Sequence, residues 1–244
     1  MKDYLYDGTF EGFLTCIYNH YYVEEASGVF QKDRYQASLL FDSIEVETDV
    51  DKAVTVYQAI QSKISDFDLK RIYRVFLSSV DEKDTKLLKY IILGFKKGRI
   101  ISSLHGDPVV FDVQTAEIKV TTEAHRFTGL VRFSMLEDHV LYAPIEPDHD
   151  VLEFLAGHFA DRLKNDPFII HDTRRGKAVI ASEGRWYIAQ FSRNSLPELS
   201  ADEDGWKRLW KKYFETIAIK ERTNPRCQKT FMPVRYWKNL TEMK

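Results

Sequence analysis

Phe168-Ile169-Ile170-His171-Asp172-Thr173-Arg174-Arg175-Gly176-Lys177-Ala178-Val179-Ile180-Ala181-Ser182-Glu183-Gly184-Arg185-Trp186-Tyr187-Ile188-Ala189-Gln190-Phe191 decides the fold class of this chain. Three strand-like runs, 168–171, 177–181 and 186–191, are separated only by short turn segments at Arg175-Gly176 and Glu183-Gly184. Connections this short join antiparallel neighbours, because a parallel return needs a dozen or more residues. Upstream, 130–136 and 140–145 read as two more strands around a turn at Glu137-Asp138. Between them and the opening stretch, Leu152, Leu155, Phe159 and Leu163 recur at helical spacing and mark a helix over about 150–163. About five largely antiparallel strands crossed by a helix make an α+β layer.

Before residue 130 the pattern is mainly helical. A short strand at 4–6 closes at Asp7-Gly8, and Phe10, Phe13, Leu14 and Ile17 then share one helical face. Residues 43–48 alternate like a half-buried strand. A helical block over about 49–128 follows, with Gly98 as a stop and Asp107-Pro108 as a start. The expected organisation is an α+β body over 1–194, with its sheet over about 130–192. A linker, a basic helix and a tail follow over 195–244. Ser200 with Glu203 is spaced as a capping box for the helix after that linker.

Charge is distributed unevenly. Residues 206–244 hold eleven Lys/Arg against three acids, while the whole chain is −2. A basic, aromatic-rich end on an acidic body fits a local contact with an anionic partner, foremost nucleic acid. In the helix at its start, Trp206, Leu209, Trp210, Tyr213, Phe214 and Ile217 form one apolar stripe, and such periodicity predicts burial. Lys207, Arg208, Lys211 and Lys212 take the other side, either as a solvated face or as a phosphate-tracking one.

Arg222, Asn224, Arg226, Arg235 and Lys238 are interleaved with Phe231, Tyr236 and Trp237 without a helical stripe to account for the rings. Guanidinium groups take phosphates bidentately, and aromatic faces receive unpaired bases. The competing account straps the rings onto the body, with arginines pairing acids there. Arg174 and Arg175, on a turn edge, join the candidate nucleic-acid contacts.

Candidate acid–base chemistry rests on Glu123, His125 and His158, with Arg126, Arg132, Arg162 and Asp172 nearby in the pattern. A structural ion-pair network is the alternative. Two cysteines, Cys16 and Cys227, form no CxxC pair, so no thiolate metal centre is expected, and no cofactor is assigned to this chain. Phosphate-loop, dinucleotide, zinc-hydrolase and serine-elbow motifs are absent from the sequence. No apolar run approaches a membrane span and no leader pattern opens the chain, so a cytoplasmic protein is expected.

Several of these segments resemble a known family. They are 6–14 (Tyr6-Asp7-Gly8-Thr9-Phe10-Glu11-Gly12-Phe13-Leu14), 123–133, His158 to Arg162, 172–175, and above all 221–240 with Asn224-Pro225-Arg226 and Phe231-Met232-Pro233-Val234-Arg235-Tyr236-Trp237. The family is a bacterial one of DNA-metabolism and DNA-repair proteins built on a domain of unknown function. The resemblance implies a DNA-contacting or partner-docking subunit acting with a radical-SAM protein or a uracil-DNA glycosylase, without independent catalysis. Two other readings stay open: an enzyme acting on nucleotides or nucleic acid through His125 and Glu123, and a non-catalytic scaffold for the radical-SAM partner.

Overall fold

The computed structural model describes residues 1–37, 42–193 and 197–243. The protein is α+β, and its contacts divide it into two units, Met1–Thr121 and Thr122–Lys244. The expected boundary between body and linker, at 194–195, lies outside the described residues.

In the first unit, β1 (Lys2–Tyr6) runs parallel to both β2 (Ala26–Gln31) and β3 (Ser43–Glu45), in the order β2-β1-β3. Helix α1 (Phe10–Tyr22) makes the β1-to-β2 crossover. The opening motif builds that crossover. Thr9 caps α1 by accepting from the Gly12 amide at 3.0 Å, and Asp7 accepts from the Thr9 amide and hydroxyl and from Thr48 Oγ1 at 2.8 Å. Gly8 sits at φ +85°, and a Cβ on Gly12 would run into the Asp7 carboxylate and stand 2.7 Å from Thr48 Oγ1. Tyr6-Asp7-Gly8-Thr9-Phe10-Glu11-Gly12 is therefore a helix-start assembly. Strand β2 was missed from sequence because Ser27 and Gly28 break its alternation.

Four helices complete this unit's core: α2 (Val50–Lys63), α3 (Asp66–Phe76), α4 (Lys83–Lys97) and the start of α5 (Pro108–Leu130). A buried polar cluster ties them. Arg71 donates to Asp68 at 3.0 Å, to the Tyr90 hydroxyl at 2.9 Å and to Glu117 at 2.7 Å, and Arg74 reaches the second oxygen of Glu117 at 2.8 Å. Tyr90 and Ser102 both donate to Asp68. Each ion thus has charge-assisted partners, which offsets the cost of burying it.

In the second unit the sheet order is β4-β5-β6-β7-β8: β4 (Ser134–Met135), β5 (Leu141–Ile145), β6 (Phe168–Asp172), β7 (Lys177–Ser182) and β8 (Arg185–Gln190). Three of its four pairings are antiparallel, while β5 and β6 run parallel. That parallel step is made by α6 (Leu152–Arg162), which packs against β7 and β8. Glu183 and Gly184, both at positive φ, form the two-residue turn that sets the β7–β8 register. The strand expected over 130–136 shrinks to Ser134–Met135. Helix α5 continues through Leu130, and Arg132 folds back to donate to the Gly129 carbonyl at 2.8 Å.

Helix α7 (Glu203–Ile217) corrects two expectations. The capping box does not form: Asp202 stands at the N-cap without a side-chain hydrogen bond, and Glu203 accepts instead from the Met135 amide at 2.9 Å. The apolar stripe is not buried either. Trp206 is 64% exposed, and Leu209, Trp210, Tyr213 and Ile217 are exposed as well. The helix is held mainly at its start and by the C-terminal turn Thr241–Met243, which leaves most of its length uncovered. Beyond it come a single turn at Lys220–Arg222, α8 (Pro225–Phe231) and a 3-10 segment, Val234–Asn239. Among the described residues, no helix is long and apolar enough to cross a membrane, and no cluster of His, Cys, Asp or Glu is arranged to hold a metal.

Candidate nucleic-acid interface

The C-terminal residues separate into an anchored part and an open part. The anchor is centred on Glu123, which is 4% exposed on α5. Its carboxylate accepts from the Asp148 amide at 2.9 Å, the His149 amide at 2.7 Å and the Tyr236 hydroxyl. Tyr236 is itself buried, its ring edge-on to Phe127 at 4.7 Å, and burial together with the bond to Glu123 pushes its titration up. Arg235 donates to the Tyr236 oxygen at 2.9 Å and pairs with Asp148 at 2.9 Å, while Lys238 pairs with Glu146. The Trp237 indole donates to the Met232 carbonyl at 2.9 Å.

Arg174 and Arg175 belong to the same neighbourhood. Asp172, at the end of β6, accepts from both their amides and from the Arg175 guanidinium at 2.7 Å. Arg175 also reaches the Pro147 and Asp148 carbonyls at 3.2 and 2.5 Å. It is a structural tie. Arg174 is mostly exposed, 3.5 Å from Asp148.

A second fastening holds α7. Arg132 grips Glu242 through two nitrogens at 2.6 and 3.2 Å, and the Trp210 indole donates to the same carboxylate at 3.0 Å. Burial alone raises the Glu242 carboxyl, but the Arg132 hydrogen bond and the other donors outweigh it and leave the group below its ordinary value.

The open part is different. Arg208, Lys212, Arg222, Arg226 and Lys229 are exposed, Lys211 is half-buried, and none of the six has a carboxylate partner among the described residues. Exposed rings stand among them: Trp206, Tyr213 and, at 69%, Phe231. Asn224 is an N-cap, accepting from the Cys227 amide at 3.0 Å ahead of Pro225. Arg126, on α5, holds the end of α8 by donating to the Thr230 carbonyl at 3.1 Å.

Between α7, β4 and the end of α6 lies a groove of about 840 Å³. Phe133, Phe159 and Leu163 contribute apolar lining, and Arg162, Trp206 and Lys207 contribute charge and an indole. Arg162 is exposed and has no ion-pair partner among the described residues. The sequence placed Arg162 with acid–base candidates and did not single out this groove, because its walls come from α5, β4, β5, α6, α7 and the turn Thr241–Met243.

The acid–base candidates are not gathered. Glu123 is buried with three donors, His125 two residues on is exposed, and His158 is exposed on α6. Neither His125 nor His158 lines the groove. The buried histidines are His149 and His171, the latter meeting the Tyr142 hydroxyl at 2.9 Å and held by burial below its usual titration range. The acids that anchor the tail, Glu146, Asp148 and Glu242, were also missed from sequence, since nothing local marks a carboxylate whose partner lies ~100 residues away.

No curated protein and no solved structure matches the chain. A family model does match, over residues 81–242, and its description is "Domain of unknown function (DUF4130)". That match spans about two thirds of the sequence, including the anchor, the groove and the open basic stretch. The chain therefore belongs to the DUF4130 family.

Proposed function

We propose that this protein contacts single-stranded DNA through residues 206–231 and serves DNA repair or modification as a DNA-contacting subunit. One observation carries the reading: six cations without carboxylate partners among the described residues are interleaved with exposed aromatic rings. Unpaired surface cations are what a phosphate backbone recruits, releasing counterions as it binds, and exposed rings are what unstacked bases stack upon. Cations already matched to acids contribute less, because phosphate must then displace a carboxylate. The reaction chemistry falls to a partner, the radical-SAM protein or uracil-DNA glycosylase that the family resemblance implies.

The test is the salt dependence of binding to a single-stranded oligonucleotide. Replacing Arg222 and Arg226 by alanine is expected to lower the slope of log affinity against log salt by about one to two units. Absence of any salt-dependent binding by the wild-type chain sinks the reading.

A second reading, docking of a protein partner, draws support from the exposed aliphatics Leu209, Ile217 and Ile219, which offer no stacking face. Leu209→Ser with Ile217→Ser leaves oligonucleotide affinity unchanged under this reading and abolishes co-purification with the separately expressed radical-SAM partner.

A further inference from the structure

The groove has a composition that phosphate tracking alone does not explain. Its volume of about 840 Å³ lies within the range of built small-ligand sites, and its inner wall is apolar. Its lining also includes the acids Asp202 and Glu203, an indole that is 64% exposed, and the Arg162 guanidinium, which has no ion-pair partner among the described residues. Lys207 and Arg132 also line it, but each already faces an acid, Glu203 at 3.6 Å and Glu242 at 2.6 Å. An aliphatic ligand would leave Arg162 without a counter-charge, and a simple anion would leave the apolar wall unused. A flat ring carrying a phosphate satisfies both.

We infer that this groove receives one unpaired nucleotide of the bound strand, its base against Trp206 and the apolar wall, its phosphate on Arg162. The inference rests on the single-strand reading above and narrows it. Residues 222–229 hold the backbone, and the groove holds a base. Trp206 is then a base-contacting residue, while Trp210, fixed by Glu242 and lying under the Arg132 guanidinium at 5.5 Å, positions the wall behind it.

The experiment compares two strands of about ten nucleotides, one of mixed sequence and one abasic throughout, by fluorescence anisotropy with the full chain. Wild type is expected to bind the mixed strand about tenfold more tightly than the abasic one. Trp206→Ala removes that preference and leaves abasic affinity unchanged, whereas Arg162→Ala weakens both strands. Both side chains are exposed, and far-UV circular dichroism checks that each variant folds. Equal affinity of wild type for the two strands, or a preference that survives in Trp206→Ala, overturns the groove inference. In either case salt-dependent binding of the abasic strand still upholds the backbone contact. If neither strand binds in a salt-dependent way, both readings fall.

Discussion

Residues 206–231 and 232–243 have the same kind of composition and opposite structural fates. Both mix arginine or lysine with tryptophan, tyrosine or phenylalanine. In the second stretch Tyr236 is buried on Glu123, Arg235 and Lys238 are paired with Asp148 and Glu146, and Glu242 is closed over by Arg132 and Trp210. In the first, Trp206, Tyr213 and Phe231 stand exposed beside Arg208, Lys212, Arg222, Arg226 and Lys229, and these five cations have no acidic partner among the described residues. The difference lies in the acids opposite them, not in the basic residues themselves. A cation is available to a ligand only when the fold has not already matched it.

The most disruptive way to break this comparison is to remove the centre of the anchor. Glu123→Ala leaves two backbone amides and a buried tyrosine hydroxyl without their acceptor, and is expected to destabilise the second unit by about 3–4 kcal/mol. Urea denaturation followed by tryptophan fluorescence reads this, because three of the four tryptophans lie in residues 206–237. A loss below about 1 kcal/mol would mean that the tail is held elsewhere.

Removing the second fastening has the next largest effect. Glu242→Gln weakens the Arg132 contact and is expected to cost about 2 kcal/mol. It also carries a pH signature. The Glu242 carboxyl is depressed in the folded protein, so its contribution is complete above the ordinary glutamate range, about pH 4 to 5, and is lost as pH falls through the lower folded value. Wild type should therefore lose stability more steeply on acidification than Glu242→Gln. Parallel pH profiles for the two proteins would contradict the assignment.

Tyr236→Phe is gentler. It keeps the ring against Phe127 but deletes the hydroxyl between Glu123 and Arg235, at an expected cost of about 1–2 kcal/mol. At the other extreme, Arg222→Ala with Arg226→Ala should leave the urea midpoint unchanged, since neither side chain has an ion-pair partner among the described residues.

Much of the fold was legible from local pattern. The hairpin spacing of 168–191 gave the antiparallel part of the sheet, and apolar periodicity located the helices α1 to α7 but not the short α8. The β5–β6 parallel pairing was hidden because strand direction depends on how α6 crosses, which no local spacing records. The α7 stripe misled for a related reason. Periodicity shows that a face is suited to burial, but not that a covering element exists. For the site, the sequence singled out the basic stretch together with Arg235, Tyr236 and Lys238 without separating them, and missed Asp148 and Glu146, the acids opposite Arg235 and Lys238. Arg235 and Tyr236 read like Arg222 and Phe231 until Glu123 and Asp148 are brought beside them.

The most direct test compares salt slopes for single-stranded DNA binding between two double variants, Arg222→Ala/Arg226→Ala and Arg235→Ala/Lys238→Ala. The open pair is expected to lower the slope by about one to two units with no change in stability. The anchored pair should leave the slope nearly unchanged and lower the unfolding midpoint. If the anchored pair lowers the slope and the open pair does not, the division of the tail into a fastening and a DNA-facing surface is wrong.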